Sequence, residues 1–176
     1  MTMRKAHGFA LIDLIFVVGM IGLLATIATP RLLQARQSAG SASAIGSLRA
    51  IGSGQLTFAL TCGAGFYAPT LRVLGTPPAG AREAYIAPGL GSANSVTRSG
   101  YLIQLDATSY AAAPPSCNGL GVGESAQAYK AAADAIDPEN FRNFAINANG
   151  QIFEDTASLF AAMPETGEPA DGWLLR

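Results

Sequence analysis

The sequence predicts an α+β fold in which a long N-terminal α-helix packs on a small antiparallel β-sheet head. Three observations carry this expectation. An uninterrupted apolar run near the N-terminus is followed by helical spacing to about position 60; a Gly-, Pro- and Ser-rich stretch covers 61–99; and segments alternating with period two come after it. With 176 residues, 49% apolar and 13% charged, the chain has room for about one domain and too little charge for a disordered tail.

The first element is the apolar run. Residues 14–29 carry nothing ionisable, and the charged residues of the first thirty positions are Arg4, Lys5 and Asp13. From Phe9 to Thr29 the chain has 21 residues, which as a helix extends about 31 Å, close to the hydrocarbon thickness of a bilayer. Arg4 and Lys5 precede the run and no basic residue follows until Arg31, so the positive-inside rule favours a cytoplasmic N-terminus and an exported remainder. Pro30 removes a backbone donor and disfavours helix at Thr29, which predicts a kink or local melting there. Gly19 and Gly22 lower helix propensity and either admit a neighbouring helix or face lipid.

From Arg31 to about Leu60 the positions Ile45, Leu48, Gly52, Leu56 and Ala59 form one stripe of a continuing helix. Gly40, Gly46, Gly52 and Gly54 each weaken it by roughly 1 kcal/mol against alanine, so it needs a body to lean on. Residues 38–44 carry no bulky side chain, which suits close helix–helix approach or a hinge. Residues 61–99 read as a long connecting loop with a helical turn over 71–74, entered through Pro69 and Thr70. Residues 101–106, 142–147 and 151–155 alternate as strands, the last two joined by Ala148-Asn149-Gly150 as a hairpin. Residues 125–136 are alanine-rich and ambiguous, and are assigned to a strand. The tail from about 164 is irregular, with Trp173 as a packing anchor.

A secretory signal would place a small-residue cleavage site after a shorter apolar core; here Gly8-Phe9-Ala10-Leu11-Ile12-Asp13 follows a short basic leader and precedes the apolar run. This arrangement resembles the class III signal of type IV pilins and type II secretion pseudopilins. The strand-like GYLIQLDA and FRNFAINANGQIFED are similar, less specifically, to strands of pilin heads. The resemblance implies a pilin-like fold divided into leader 1–8, membrane and filament-core helix 9–30, and remaining helix with periplasmic head 31–176. It also implies cleavage by prepilin peptidase between Gly8 and Phe9, with N-methylation of Phe9, leaving 168 of the 176 residues. Asp13 stands where the family usually has Glu, the residue that pairs with the N-terminal amine of a neighbouring subunit, and Ala10 stands where it often has Thr. A helix-loosening proline at the position of Pro30 belongs to the same pattern. An ionised carboxylate at this depth in a bilayer costs several kcal/mol unless paired; the alternative is an Asp13 that snorkels to the interface or is protonated.

Cys62 and Cys117 are the only cysteines, both in the exported part, which favours a disulfide between them. A metal or nucleophilic role would need a CxxC or a histidine companion, and the one histidine, His7, falls in the leader. Charge is segregated: residues 31–98 hold six Arg and one Glu, residues 99–176 three Lys or Arg and ten Asp or Glu. Arg31, Arg36, Arg49, Arg72, Arg82 and Arg98 are therefore either solvated or matched to acidic surfaces of a neighbouring copy. Asp134, Asp137, Glu139, Glu154 and Asp155 offer oxygen ligands for Ca²⁺ of the kind seen in major pseudopilins, without EF-hand spacing, so no cofactor or metal ligand is assigned. The net charge of −1 argues against nucleic acid as the main partner. No GxSxG, Walker A or HExxH pattern is present, and an enzyme is not expected.

The expected function is that of a structural subunit, held in the inner membrane with a periplasmic head. The processed chain would be polymerised by an assembly ATPase and platform protein into a homo-oligomeric helical pilus or pseudopilus. The alternative is a minor or tip pilin whose loop 61–99 recognises a surface, DNA or a secretion substrate.

Overall fold

The structure is a computed structural model and describes residues 11–175. The chain divides into two compact units, Met1–Ser38 and Ala39–Arg176. Helix α1 is assigned from Leu11 to Thr61. In the first unit every described residue is helical, and all are exposed except the partly buried Gln37. The helix is continuous across Pro30, so the expected melting does not occur. Pro30 leaves the Thr26 carbonyl without its amide partner, but one missing bond is outweighed by intact ladders on both sides. The Thr26 and Thr29 hydroxyls also donate back to the Gly22 and Ala25 carbonyls, each at 2.8 Å.

In the second unit α1 presents Ala44, Leu48, Ile51, Gln55 and Phe58 to the interior. This stripe corrects the expected one. Leu48, Ile51, Gln55 and Phe58 advance by three, four and three residues, whereas Leu56, one residue past Gln55 and turned about 100° from it, is 55% exposed. The small-residue run is helical, and its Gly40, Ser41 and Ala44 are buried. A Cβ at Gly40 would come within 2.8 Å of the Ser99 carbonyl oxygen, and the Ser41 hydroxyl lies 2.9 Å from that of Tyr101.

The stretch expected as one loop holds two short helices and a strand. Helix α2, Leu71–Leu74, falls where the sequence placed it, with the Thr70 hydroxyl accepting the Val73 amide at 3.4 Å. Helix α3, Pro88–Gly91, packs beside it, and here two glycines are obligatory. Cβ atoms at Gly75 and Gly91 would each fall within 2.5 Å of the other's Cα.

Six strands follow: β1 Ser95–Arg98, β2 Tyr101–Asp106, β3 Lys130–Ala135, β4 Asn143–Asn147, β5 Ile152–Asp155 and β6 Trp173–Leu174. They form one antiparallel sheet in chain order, every neighbour pairing with the next. Strand β2 and the β4–β5 hairpin match the expected segments to within one residue. Strand β1 was not foreseen, although Ser99-Gly100, both at positive φ (51° and 83°), is the two-residue turn that joins it to β2. The alanine-rich segment is a strand in its second half. Ala131 and Ala133 pack in the core facing α1, and Ala132 packs with Ala145, Phe153, Leu159 and Met163 on the other side. Burial on both faces of a central strand suits side chains without preference for water on either. Trp173 is not a packing anchor: it lies on edge strand β6 opposite Glu154 and is 53% exposed.

Candidate assembly segment and stapled head

The sequence singled out two regions, one in each unit. Gly8 and Phe9 lie outside the described residues, as do Arg4, Lys5, His7 and Ala10. Asp13 is in the first turn of α1, exposed, with Leu11, Ile12, Leu14, Ile15 and Phe16 around it. The apolar part of α1 is long and apolar enough to cross a membrane, and none of its most apolar window is buried within the chain. Such a surface has to be covered by something other than this chain's own fold.

In the head, Cys62 and Cys117 are joined by a disulfide with a Cα–Cα distance of 4.9 Å, and the Cys117 amide donates to the Cys62 carbonyl at 3.2 Å. The bridge ties the end of α1 to the β2–β3 connection across a sequence separation of 55, a closure that contributes on the order of 4 kcal/mol. Beside it, Gln55 is fully buried and clamps the chain after α1: its amide nitrogen donates to the Ala68 carbonyl at 2.7 Å and its oxygen accepts the Ala68 amide at 2.8 Å. No sequence signal pointed to this clamp, because the stripe expected along α1 ran through Gly52 and Leu56 and left Gln55 out.

The acidic residues do not converge. Glu154, 8% exposed, is held by Arg142, whose Nε and Nη2 donate to its two oxygens at 2.5 and 3.0 Å. Arg142 also lies over the Phe144 ring, 5.3 Å from the centroid. Asp134 accepts from the Ser158 hydroxyl at 2.9 Å; burial raises its pKa, and that hydrogen bond opposes the rise. Asp155 accepts the amides of Thr156 and Ala157, and Asp137 that of Glu139. Among the described residues no group of three or more His, Cys, Asp or Glu forms a metal site. The six arginines of the basic half are all exposed. The Arg142–Glu154 pair could not be read from spacing, because the β4–β5 register brings its members together across 12 positions.

Fold and site together define a class: an α+β head with a disulfide, carried on an N-terminal helix whose apolar part has the length of a single membrane span. Compared with protein-family models, curated proteins and solved structures, the chain gives no significant match to any.

Proposed function

We propose that the chain is a structural subunit of a type IV pilus or type II secretion pseudopilus. In this reading prepilin peptidase removes residues 1–8, Phe9 becomes the N-methylated terminus, and the inner membrane stores the apolar helix until the assembly machinery extracts it into a homopolymeric filament. The observation that supports it most is the apolar surface of α1 from Leu11 to Leu33, exposed throughout and matched in length to a bilayer. Lipid covers that surface in the stored monomer and identical helices cover it in the filament. Transfer from lipid to helix bundle adds little hydrophobic gain, so the polar pair has to set the register: Asp13 of one subunit with the terminal amine of the next.

Such a pair is favoured on both sides, because an unpaired carboxylate among hydrocarbon costs several kcal/mol and an unpaired ammonium a similar amount. Aspartate reaches about one methylene less far than glutamate, so Asp13 demands a closer approach of the amine. Mass spectrometry of filaments sheared from the native cell tests the reading. An N-methylated Phe9 terminus on a polymerised chain is expected; a chain recovered with residues 1–8 intact, or never in polymer, would overturn it.

A further inference from the structure

The sequence contains two Asn-Gly pairs, Asn118-Gly119 and Asn149-Gly150. Glycine after asparagine favours an internal reaction, because no Cβ shields the glycine nitrogen from the asparagine carboxamide. The glycine nitrogen attacks Cγ: the N–Cγ bond forms, the Cγ–Nδ2 bond breaks, and Nδ2 leaves as ammonia with the proton of the attacking amide. Water then opens the succinimide, at Cγ to give aspartate or at the main-chain carbonyl to give isoaspartate. The fold treats the two pairs differently.

Asn149 is exposed in the β4–β5 turn, and its side chain is held through Oδ1, which accepts the Gly167 amide at 2.9 Å. Loss of its nitrogen leaves that contact in place. Asn118 is partly buried, and it is the nitrogen that anchors it: Nδ2 donates to the carbonyls of Val73 and Thr76 at 2.9 and 3.2 Å. Its Oδ1 accepts the Ser116 hydroxyl at 2.7 Å, and that hydroxyl in turn accepts the Leu120 amide at 3.0 Å. The carboxamide therefore fastens residues 116–120 to the end of α2. Gly119, the nucleophile, is exposed, and its amide reaches the Ser116 carbonyl only at 3.4 Å.

Two consequences follow from which atom leaves. Cyclisation at Asn118 has to give up both bonds to the α2 carbonyls, and two neutral hydrogen bonds lost together slow the step by about tenfold. The product then cannot return to the same place, because aspartate has only acceptors to set against two carbonyl oxygens. The segment is also held covalently, since Cys117, the residue before Asn118, is bonded to Cys62. Cys117 is exposed, so a dithiol can reduce the bridge to two thiols and become oxidised to its own disulfide.

We infer that Asn118 is a deamidation site guarded by the Cys62–Cys117 bridge: opening the bridge frees residues 116–120 from α2, Asn118 cyclises, and the new carboxylate keeps the segment off α2 after the bridge is restored. The site stands independently of the filament reading, since no part of it lies in the apolar segment.

The test holds the full chain in micelles of a neutral detergent at mildly alkaline pH, with the bridge intact, with a dithiol, and as the Cys62→Ser/Cys117→Ser variant. Digestion and mass spectrometry then follow conversion to aspartate and isoaspartate at 118 and 149 in the same samples. With the bridge intact, conversion at 118 is expected to be about tenfold slower than at 149, and opening the bridge should remove most of that difference by accelerating 118 alone. Equal rates at the two positions in the bridged protein, a rate at 118 indifferent to the bridge, or equal acceleration at both positions would each overturn the guard. Asn118→Asp with the bridge intact tests the lock. Hydrogen exchange at the Leu74 and Gly75 amides, which close α2 onto the Thr70 and Leu71 carbonyls, should be faster than in the parent and faster than in Asn118→Ala, where the contacts are lost without a charge. Exchange no faster than in Asn118→Ala would overturn the lock.

Discussion

Gln55 and Leu56 are neighbours in sequence and opposite in environment, the amide fully buried and the aliphatic chain exposed. Polarity alone assigns them the other way round, and the reason it fails is the clamp on Ala68. Removing Gln55 strands a buried amide and a buried carbonyl, each costing about 1 to 3 kcal/mol. We expect Gln55→Leu to lower the urea-unfolding free energy by about 2 to 4 kcal/mol, and Leu56→Gln to change it by less than about 0.5 kcal/mol. Glu154 makes a similar point with charge. Arg142→Ala would leave a buried carboxylate unpaired; because the arginine is half exposed, the expected loss is about 1 kcal/mol, and Glu154→Gln added to it should restore part of that loss in a double-mutant cycle. Tyr129 sets an alkaline limit. Its phenol ionises near 10.0 when unfolded and at about 12 when folded, so its contribution is complete below pH 10 and is lost as pH rises towards 12. The loss is on the order of 2 kcal/mol, and stability measured across that window should flatten in Tyr129→Phe.

Four glycines in the second-unit part of α1 look alike in the sequence, and the packing of the element separates them. A Cβ at Gly46 meets nothing within 4 Å, whereas one at Gly54 would meet the Ile86 side chain at 2.6 Å and the Tyr85 carbonyl oxygen at 2.8 Å. Gly46→Ala should therefore stabilise by up to about 1 kcal/mol, the propensity gain alone. Gly54→Ala should destabilise, because backbone has to move; thermal unfolding of the two variants should shift in opposite directions. The same contrast runs through the strands. The β2 and β4–β5 segments were legible because one face of each alternates or a turn sequence joins them. Strand β1 was hidden by its exposed, polar composition, and β3 was ambiguous because an alanine run has no alternation to read.

Across the whole molecule two covalent and electrostatic devices matter. Opening the Cys62–Cys117 bridge, by reductant or by the double Cys→Ser variant, should remove about 4 kcal/mol from a head whose α2 and α3 segments are short and glycine-bounded; urea titrations with and without reductant measure it. If the chain is the filament subunit proposed above, Asp13→Ala in the native cell should leave the protein in the membrane and sharply reduce filaments seen by electron microscopy, whereas Asp13→Glu should preserve them. The sequence by itself determined the apolar helix, its acid, the presence of a mixed helix-and-strand head and the cysteine pair, because these rest on local composition, length and period. Only the tertiary structure decided which flank of α1 is inside, that Gln55 rather than Leu56 faces Ala68, that Glu154 belongs to Arg142, and that Asn118 holds the end of α2. Each of those depends on which distant backbone stands opposite a given side chain, a matter of strand register and helix rotation that no short window of residues encodes.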